Sequence, residues 1–356
     1  MDSQNYDVLI KGNVKKLSSC NYNYMFNMEN GNMAVWGVTP DHDPDYCPYG
    51  PTIFDAEVTD KCSGLNNKPC AWCYKANNPQ GQIGNMSFET FKRVFDQLPK
   101  TLTQIAFGAD AQCKANPDIW KMMEYCRENN VIPNITVADV DEETAQKLAK
   151  YCGAVAVSYY GFVHKHTFRR SLENLKDAGI KQLNCHVLLS KETKEWVHEL
   201  IYDWDSHPST PLDREFTGYN EYLNAIVGLA VKNCGRGKNY TRLTQFEYTS
   251  VIEKFLQKNI PFGSDSCGCN KLIKAFEVLE KKIPTMLLQP CESACESFYC
   301  NAAGIYYPCS FNETEEYGID SKDVKDFVKD VWFSEKIKKF RTKLFENNRD
   351  CPSYKI

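Results

Sequence analysis

The strongest constraint on this chain is a short loop that carries three cysteines. Cys62, Cys70 and Cys73 follow a predicted strand in the segment CSGLNNKPCAWC, with seven residues in the first gap and two in the second. A structural zinc site closes its tetrahedron with four protein ligands, so three thiolates need a distant cysteine to complete the set. A [4Fe–4S] cluster on three thiolates instead keeps one iron open. The loop therefore indicates an iron–sulfur site; zinc completed by Cys47 or Cys113, or plain reduced cysteines, are the alternatives.

The overall cysteine content points the same way. Of 356 residues, 17 are cysteines, which is an odd number. The first thirty residues contain no apolar run typical of a signal peptide, so we expect a cytoplasmic protein with reduced, metal-binding thiols. Lysine and arginine total 42 against 46 acidic residues, a formal net charge of −4. This charge balance gives no positive field that would attract nucleic acid, and no segment has the composition of a membrane span. Neither nucleic acid nor a membrane is therefore predicted as a partner.

The body of the chain alternates predicted strands and helices. Its six apolar runs lie at 53–58, 102–107, 131–137, 154–157, 183–189 and 223–227. Alternation of this kind is typical of a parallel sheet in an α/β fold. The functional site is expected where the carboxyl ends of the strands open.

Two further segments flank this body. Residues 22–28 alternate apolar and polar side chains, and Asn30-Gly31 turns the chain into 33–36. This pattern predicts a β-hairpin within an N-terminal unit, residues 1–50, that also holds a proline-rich connector. The strand and helix rhythm ends near residue 260 in a cysteine-dense segment, so residues 261–356 are predicted to form a small separate domain.

The cysteine loop resembles the signature of the radical S-adenosylmethionine (SAM) superfamily, which reads C-x3-C-x2-C after the first strand of a partial (β/α)6 barrel. The first gap is longer here, and Trp72 is the aromatic residue between the last two cysteines. The resemblance implies such a barrel over residues 51–260 and a SAM-binding [4Fe–4S] cluster on Cys62, Cys70 and Cys73. It also implies reductive cleavage of SAM to a 5′-deoxyadenosyl radical, with electrons from a flavodoxin or ferredoxin type of donor.

The same resemblance implies SAM-binding residues near the ends of the later strands. Gly108-Ala109-Asp110 is similar to the Gly-Gly-Glu element that holds the methionyl amine, with aspartate in place of glutamate. Thr136 and Ser158 end two strands, where hydroxyls suit the SAM carboxylate or ribose. We expect His186 and Asn224 to contact cofactor or substrate, although ordinary strand-end and core roles also account for such residues. The predicted cofactor-binding set is Trp72, Gly108, Asp110, Thr136, Ser158, His186 and Asn224.

A second group of cysteines lies in the C-terminal segment. The spacing Cys291-x12-Gly304-x4-Cys309 is similar to the opening of SPASM and Twitch domains, the auxiliary-cluster extensions of peptide-modifying radical SAM enzymes. The later cysteine run of a full SPASM domain is absent, which favours a Twitch-like domain with one auxiliary [4Fe–4S] cluster. Cys267 and Cys351 are predicted to complete its four ligands, and structural zinc is the alternative. The reserve candidates are Cys269, Cys295 and Cys300.

The SPASM and Twitch resemblance implies a peptide or small protein as the substrate. One hypothesis pairs an extended peptide, lying across the barrel mouth, with the edge of hairpin 22–36; the other is that the hairpin only covers the barrel. Arg236 and Lys238, in a glycine-rich loop, suit a carboxylate or phosphate, although solvated loop charges are commoner. The alternative functions are a radical enzyme acting on a small molecule or nucleotide, and a non-catalytic iron–sulfur or zinc-binding protein.

Overall fold

The computed structural model describes residues 6–206, 218–284 and 288–352. Its N-terminal strands are β1 (Asp7–Lys11), β2 (Val14–Ser18), β3 (Asn23–Asn27) and β4 (Met33–Trp36). They form one antiparallel sheet in chain order. The predicted hairpin is confirmed as β3 and β4, but β3 also pairs with β2, so the hairpin belongs to a larger sheet.

A second sheet contains the six predicted strands of the β/α body. These are β5 (Ile53–Glu57), β6 (Gln104–Gly108), β7 (Ile132–Val137), β8 (Ala154–Ser158), β9 (Gln182–Leu189) and β10 (Ala225–Ala230). Each pairs in parallel with the next, and a short strand, β11 (Phe262–Ser264), continues the parallel order after β10. This arrangement confirms the parallel sheet of the predicted partial barrel.

The second sheet also extends beyond β5. The added strands are β12 (Ser297–Cys300), β13 (Ile305–Tyr307) and β14 (Ile319–Asp320). β12 runs parallel to β5, whereas β13 and β14 are antiparallel to their neighbours. Since β11 and β14 are the two edges of this ten-stranded sheet, the barrel is open on the side between them.

Helices follow the strands where capping residues and apolar stripes predict them. The described helices are α1 (Phe88–Gln97), α2 (Ile119–Glu128), α3 (Glu142–Tyr151), α4 (Lys165–Asp177), α5 (Lys194–Tyr202), α6 (Gln245–Gln257), α7 (Cys269–Val278) and α8 (Glu335–Glu346). The side chains of Ser87, Asp141 and Thr244 cap the starts of α1, α3 and α6. No helix in these described ranges combines the length and apolar character that crossing a bilayer requires.

Alternation along the parallel strands divides their side chains between the helices and the barrel interior. Phe54 and Ala56 of β5 are buried in the main core, so Asp55 and Glu57 point the other way, into the interior. On β9, Cys185 and Val187 join the core, and His186 faces the interior. Polar groups therefore line the interior towards the carboxyl ends of the strands.

The N-terminal sheet packs against the opposite end of the barrel. The Tyr24 hydroxyl donates to the carbonyl of Thr101 over 2.9 Å, and buried Lys15 donates to the carbonyl of Leu102, both just before β6. The Tyr22 hydroxyl donates to Glu296, directly before β12. The hairpin thus covers the barrel at the amino-terminal ends of its strands. This position does not fit a peptide that lies across the mouth and pairs with the hairpin edge.

Glu296 at this junction makes stability depend on pH. Burial raises the pKa of its carboxyl to about 8, although hydrogen bonds from Tyr22 and Thr52 lower it. The unfolded pKa is about 4.3, so the stabilisation of the protonated form is complete below that value and is lost as the pH rises through about 8. Between pH 5 and pH 8 we expect the free energy of unfolding to fall by about 3 kcal/mol more in the wild type than in Glu296→Gln.

Urea unfolding at both pH values measures this difference, and the exposed Glu315→Gln is the control that should follow the wild type. Equal pH dependence in the wild type and Glu296→Gln would show that the carboxyl is already ionised in the folded state.

Candidate active site

The three-cysteine loop follows β5 directly, at the carboxyl ends of the barrel strands. Burial raises the pKa of Cys70 to about 11, and the charges of Cys62 and Cys73 contribute to this rise. Cys73 likewise adds to the raised pKa of Cys62, after burial as the main cause. Gly64 makes the required turn, since its φ is +67° and an added Cβ would lie 2.0 Å from the carbonyl oxygen of Lys68. The structure therefore places the three thiols in one loop, where the charges of neighbouring cysteines influence one another.

This donor set suits a cluster better than a single metal ion. Within the described ranges, no group of three or more His, Cys, Asp or Glu side chains converges closely enough to hold one ion. A [4Fe–4S] cluster needs no such convergence, because each thiolate binds an iron of its own. The two cysteines considered as a fourth zinc ligand lie elsewhere, Cys47 in the core of the N-terminal sheet and Cys113 in the barrel core. Three soft ligands without a fourth fit a cluster with one open iron.

The loop after β10 holds the cysteine loop in place through Arg236. Its Nε donates to the carbonyl of Cys70 over 2.7 Å, and its Nη2 donates to the carbonyl of Asn77 over 2.8 Å. Its backbone N–H donates to the carbonyl of Cys73 over 2.9 Å. The guanidinium is therefore engaged by the cysteine loop itself, and Lys238 is exposed. This geometry does not support an anion site formed by Arg236 and Lys238.

We expect Arg236→Gln to lower the free energy of unfolding by about 2 kcal/mol, because hydrogen bonds from a charged group to carbonyls contribute about 1.5–3 kcal/mol. The loosened loop should also retain less iron after anaerobic reconstitution. Urea unfolding and iron analysis measure the two effects, and Lys238→Gln should change neither. Wild-type stability together with full iron content in Arg236→Gln would contradict the role of this side chain.

Three predicted cofactor-binding residues meet inside the barrel beside Cys70. Ser158 of β8 is the register partner of His186 on β9, and His186 Nδ1 lies 3.3 Å from Thr136 Oγ1. The Tyr160 hydroxyl forms hydrogen bonds with both Ser158 and Cys70, which links this group to the cysteine loop. Burial lowers the pKa of His186 to about 4, so its imidazole is neutral at pH 7. Tyr160 was not predicted, although its position two residues after Ser158 at a strand end was a usable signal.

Trp72 packs in an aromatic cluster next to the cysteine loop. Its ring lies 4.8 Å from that of Tyr160, 5.0 Å from that of Trp196 and 6.0 Å from that of Tyr240, measured between centroids. All three contacts are edge-to-face, a favourable geometry for aromatic pairs. Trp72 therefore holds the segment between Cys70 and Cys73 against the barrel mouth.

Asp110 has a clear structural task. Its buried carboxylate accepts hydrogen bonds from the backbone N–H groups of Gln112, Lys114 and Ala115, which shape the loop after β6. Gly108 lies beside β5, where an added Cβ would be 3.2 Å from Glu57 Cα. The loop thus needs Asp110 for its own conformation, and its binding of a methionyl amine stays a prediction.

Asn224 is the predicted site residue that the structure places apart from the others. It precedes β10, and its Oδ1 accepts the backbone N–H of Leu183 over 2.7 Å. Both residues lie towards the amino-terminal ends of their strands, opposite to the cysteine loop. Asn224 joins β9 to β10 and does not line the candidate site.

A buried polar network joins the cysteine loop to the C-terminal segment, and sequence reasoning missed it. Lys75, two residues after Cys73, has its Nζ 3.2 Å from Glu57 Oε1 and 2.9 Å from the Tyr299 hydroxyl, and it also pairs with Glu313. Tyr299 donates to Glu57 Oε2 over 3.0 Å. The network fixes the cysteine loop against β12. No local pattern predicts it, because its members come from four separate parts of the chain.

A cavity of about 350 Å³ opens beside this network. Its lining includes Tyr74 from the cysteine loop, Cys234 from the loop after β10, and Ser310 and Phe311 next to Cys309. The Tyr74 and Phe311 rings are in contact, with centroids 4.4 Å apart. The cavity therefore lies between the two groups of cysteines.

The four predicted auxiliary cysteines come from both flanks of the open sheet. Cys267 follows β11, Cys291 precedes β12, Cys309 follows β13, and Cys351 follows α8. Burial raises the pKa of Cys267, and the charges of Cys291 and Cys309 add to the rise. Burial is also the first cause of the raised pKa of Cys291 and of Cys309, and Cys351 contributes to both. The charges of these four side chains thus influence one another from both flanks of the open sheet, and their role as ligands stays a prediction.

The reserve cysteines are less suited to this site. Cys295 and Cys300 are buried in the apolar core, and the Cys300 thiol donates to the carbonyl of Asn301 over 3.4 Å. Cys269 is buried at the first turn of α7.

The open parallel barrel, with a three-cysteine loop after its first strand and a C-terminal extension of the sheet, is a fold found in solved structures. No protein-family model matches the sequence, and no curated protein is significantly similar to it. The chain is similar to the structure of Streptococcus suis SuiB bound to the precursor peptide SuiA, with 13% identity and a TM-score of 0.65 over 94% of this chain and 91% of that one.

Two similar structures contain SAM. S. suis SuiB bound to S-adenosylmethionine has 14% identity and a TM-score of 0.61, over 83% of this chain and 68% of that one. Hexahistidine-tagged anSMEcpe with bound AdoMet has 16% identity and a TM-score of 0.55, over 85% and 88%. At such identities the similarity establishes the fold.

Proposed function

We propose that this chain is a radical SAM enzyme whose Cys62, Cys70 and Cys73 hold a [4Fe–4S] cluster. The observation that carries this proposal is the position of three cysteines in one loop directly after β5, at the carboxyl ends of the parallel strands. The similarity of the fold to two SAM-bound structures supports it. When bound, the cluster and SAM supply a 5′-deoxyadenosyl radical that abstracts hydrogen from a substrate.

The residues of the barrel have binding and positioning roles in this proposal. The Thr136 and Ser158 hydroxyls and the neutral His186 imidazole offer hydrogen bonds without a net charge, which suits a ribose or a carboxylate group of SAM. Tyr160 forms a hydrogen bond with the Cys70 thiol, and Trp72 packs the cysteine loop against Tyr160.

We place one auxiliary [4Fe–4S] cluster on Cys267, Cys291, Cys309 and Cys351. The influence of their charges on one another supports this ligand set. Residues 261–356 would then form the auxiliary-cluster domain, joined to the barrel of residues 51–260 through the pairing of β12 with β5. Electrons would come from a flavodoxin or ferredoxin type of donor, as a cytoplasmic location allows.

For the substrate we propose a peptide. The SuiB structure with a bound precursor peptide supports this choice, because its fold matches 94% of this chain. The cavity of about 350 Å³ between the two groups of cysteines has room for a side chain of such a peptide. Its lining by Glu57, Lys75 and Glu313 makes it polar.

The experiment combines anaerobically reconstituted protein with SAM, dithionite and short peptides encoded next to the gene. We expect 5′-deoxyadenosine to form, its yield to rise with one of these peptides, and the mass of that peptide to change. Stimulation by a nucleotide or small metabolite, with all peptides inert, would overturn the peptide proposal. Absence of 5′-deoxyadenosine under all conditions would overturn the enzyme proposal and favour a non-catalytic metalloprotein.

A further inference from the structure

We propose that Lys232, opposed by Asp265, sets the reduction potential of the auxiliary cluster, an inference that rests on the proposed function. The Lys232 side chain is 5% exposed and lies in the loop after β10. Its Nζ donates to the carbonyl of Ala230 over 2.9 Å and forms an ion pair with Asp265. A buried ammonium is costly unless it is paired, so this one is held in a fixed place.

Lys232 lies between two segments that carry auxiliary ligands. Its ion-pair partner Asp265 is two residues before Cys267, and its Nζ lies 4.9 Å from the ring centroid of Phe311, two residues after Cys309. Asp265 is itself fixed, because its Oδ1 accepts the N–H of Gly268 over 3.0 Å. The ammonium is therefore confined beside the auxiliary site.

The ion pair places both charges next to a proposed ligand. Asp265 lies two residues before Cys267, and its carboxylate is bonded to the Lys232 ammonium. An opposite charge at this distance favours the charged form of a buried amine. The pair therefore presents a fixed cation and a fixed anion beside the auxiliary site.

Elementary electrostatics then gives the sign of the effect. Reduction adds negative charge to a cluster, and a nearby cation stabilises the reduced form. The potentials of iron–sulfur clusters depend on net charge and on hydrogen bonds to the sulfurs, and buried charges act strongly because water does not screen them. Lys232 therefore raises the potential of the auxiliary cluster, and Asp265 lowers it.

The loop after β10 thereby serves both groups of cysteines. Arg236 holds the carbonyl of Cys70, and Lys232, four residues earlier, pairs with Asp265 beside Cys267. The exposed Lys238 belongs to the same loop but has neither contact, which makes it a matched control.

The test is a dithionite redox titration of the anaerobically reconstituted full-length protein, followed by EPR. The signal that changes on addition of SAM belongs to the first cluster, and the other belongs to the auxiliary cluster. At a fixed potential, we expect Lys232→Met to lower the ratio of reduced to oxidised auxiliary cluster about tenfold, which is 59 mV for one electron. Asp265→Asn should shift the ratio in the opposite direction, and Lys238→Met should leave it unchanged.

Several results would overturn the inference. Equal auxiliary potentials in the wild type and in Lys232→Met, at full iron content, would exclude tuning by Lys232 and leave the enzyme proposal intact. If Lys232→Met does not assemble the auxiliary cluster, Lys232→Arg should assemble it with the wild-type potential; failure of both variants would make the lysine purely structural. A wild type without any SAM-sensitive signal would overturn the proposed function itself.

Discussion

Replacing Cys70 by alanine is expected to abolish the formation of 5′-deoxyadenosine and to lower the iron content from about eight to about four atoms per chain. The reason is the position of this thiol. Cys70 interacts with the other two cysteines of its loop and with Tyr160, which connects to Ser158 inside the barrel. Two remaining thiolates are too few to hold a four-iron cluster, so the SAM-binding iron is lost with it.

Iron analysis and chromatography of the reaction products measure both effects. Cys20→Ala is the matched control, because Cys20 is an exposed cysteine far along the chain from both groups. It should keep the wild-type iron content and activity. Undiminished 5′-deoxyadenosine formation in Cys70→Ala would contradict the assignment of the first cluster.

Replacing Cys309 by alanine is expected to remove the auxiliary cluster and to separate its role from that of the first one. Iron should again fall to about four atoms per chain, but SAM cleavage without peptide should stay within about twofold of the wild type, because the first cysteine loop is intact. Turnover of the peptide should be lost. Stability should also fall, because a cluster that only the folded chain can bind stabilises the folded state.

Metal analysis, product analysis and urea unfolding distinguish the outcomes. Cys300→Ala removes another buried cysteine of the same segment and should keep all the iron, although the loss of core packing costs some stability. If the wild type contains zinc and Cys309→Ala does not, the second group of cysteines is a structural zinc site and not a cluster site. Iron loss in Cys300→Ala but not in Cys309→Ala would show that the ligand set is wrong.

Local patterns in the sequence were sufficient to predict much of the barrel. The six parallel strands carry apolar side chains on the face that packs against the helices, and their apolar content was enough to locate them. The first two strands were missed because β1 is mostly exposed and lacks apolar alternation. The pairing of β12 with β5 joins segments about 240 residues apart, and no local pattern encodes it.

Cysteine spacing in the sequence was enough to propose the two groups of cysteines, and their roles as cluster ligands stay predictions. The structure places the first group in the loop after β5, and the second group after β11, before β12, after β13 and after α8. Asn224 was assigned to the site without regard to the end of the strand at which it lies. A residue that precedes a parallel strand lies at the end opposite to the site. Lys75 was missed because its partners, Glu57 and Tyr299, are distant in sequence.

The central claim is that three thiolates leave one iron open for SAM, and the EPR spectrum of the dithionite-reduced protein tests it most directly. SAM bound to that iron changes its ligands and therefore its spectrum. We predict that added SAM shifts the signal of the wild type and that Cys70→Ala has no signal that responds to SAM. A reduced four-iron signal that SAM leaves unchanged, or a first site filled by zinc, would contradict the claim.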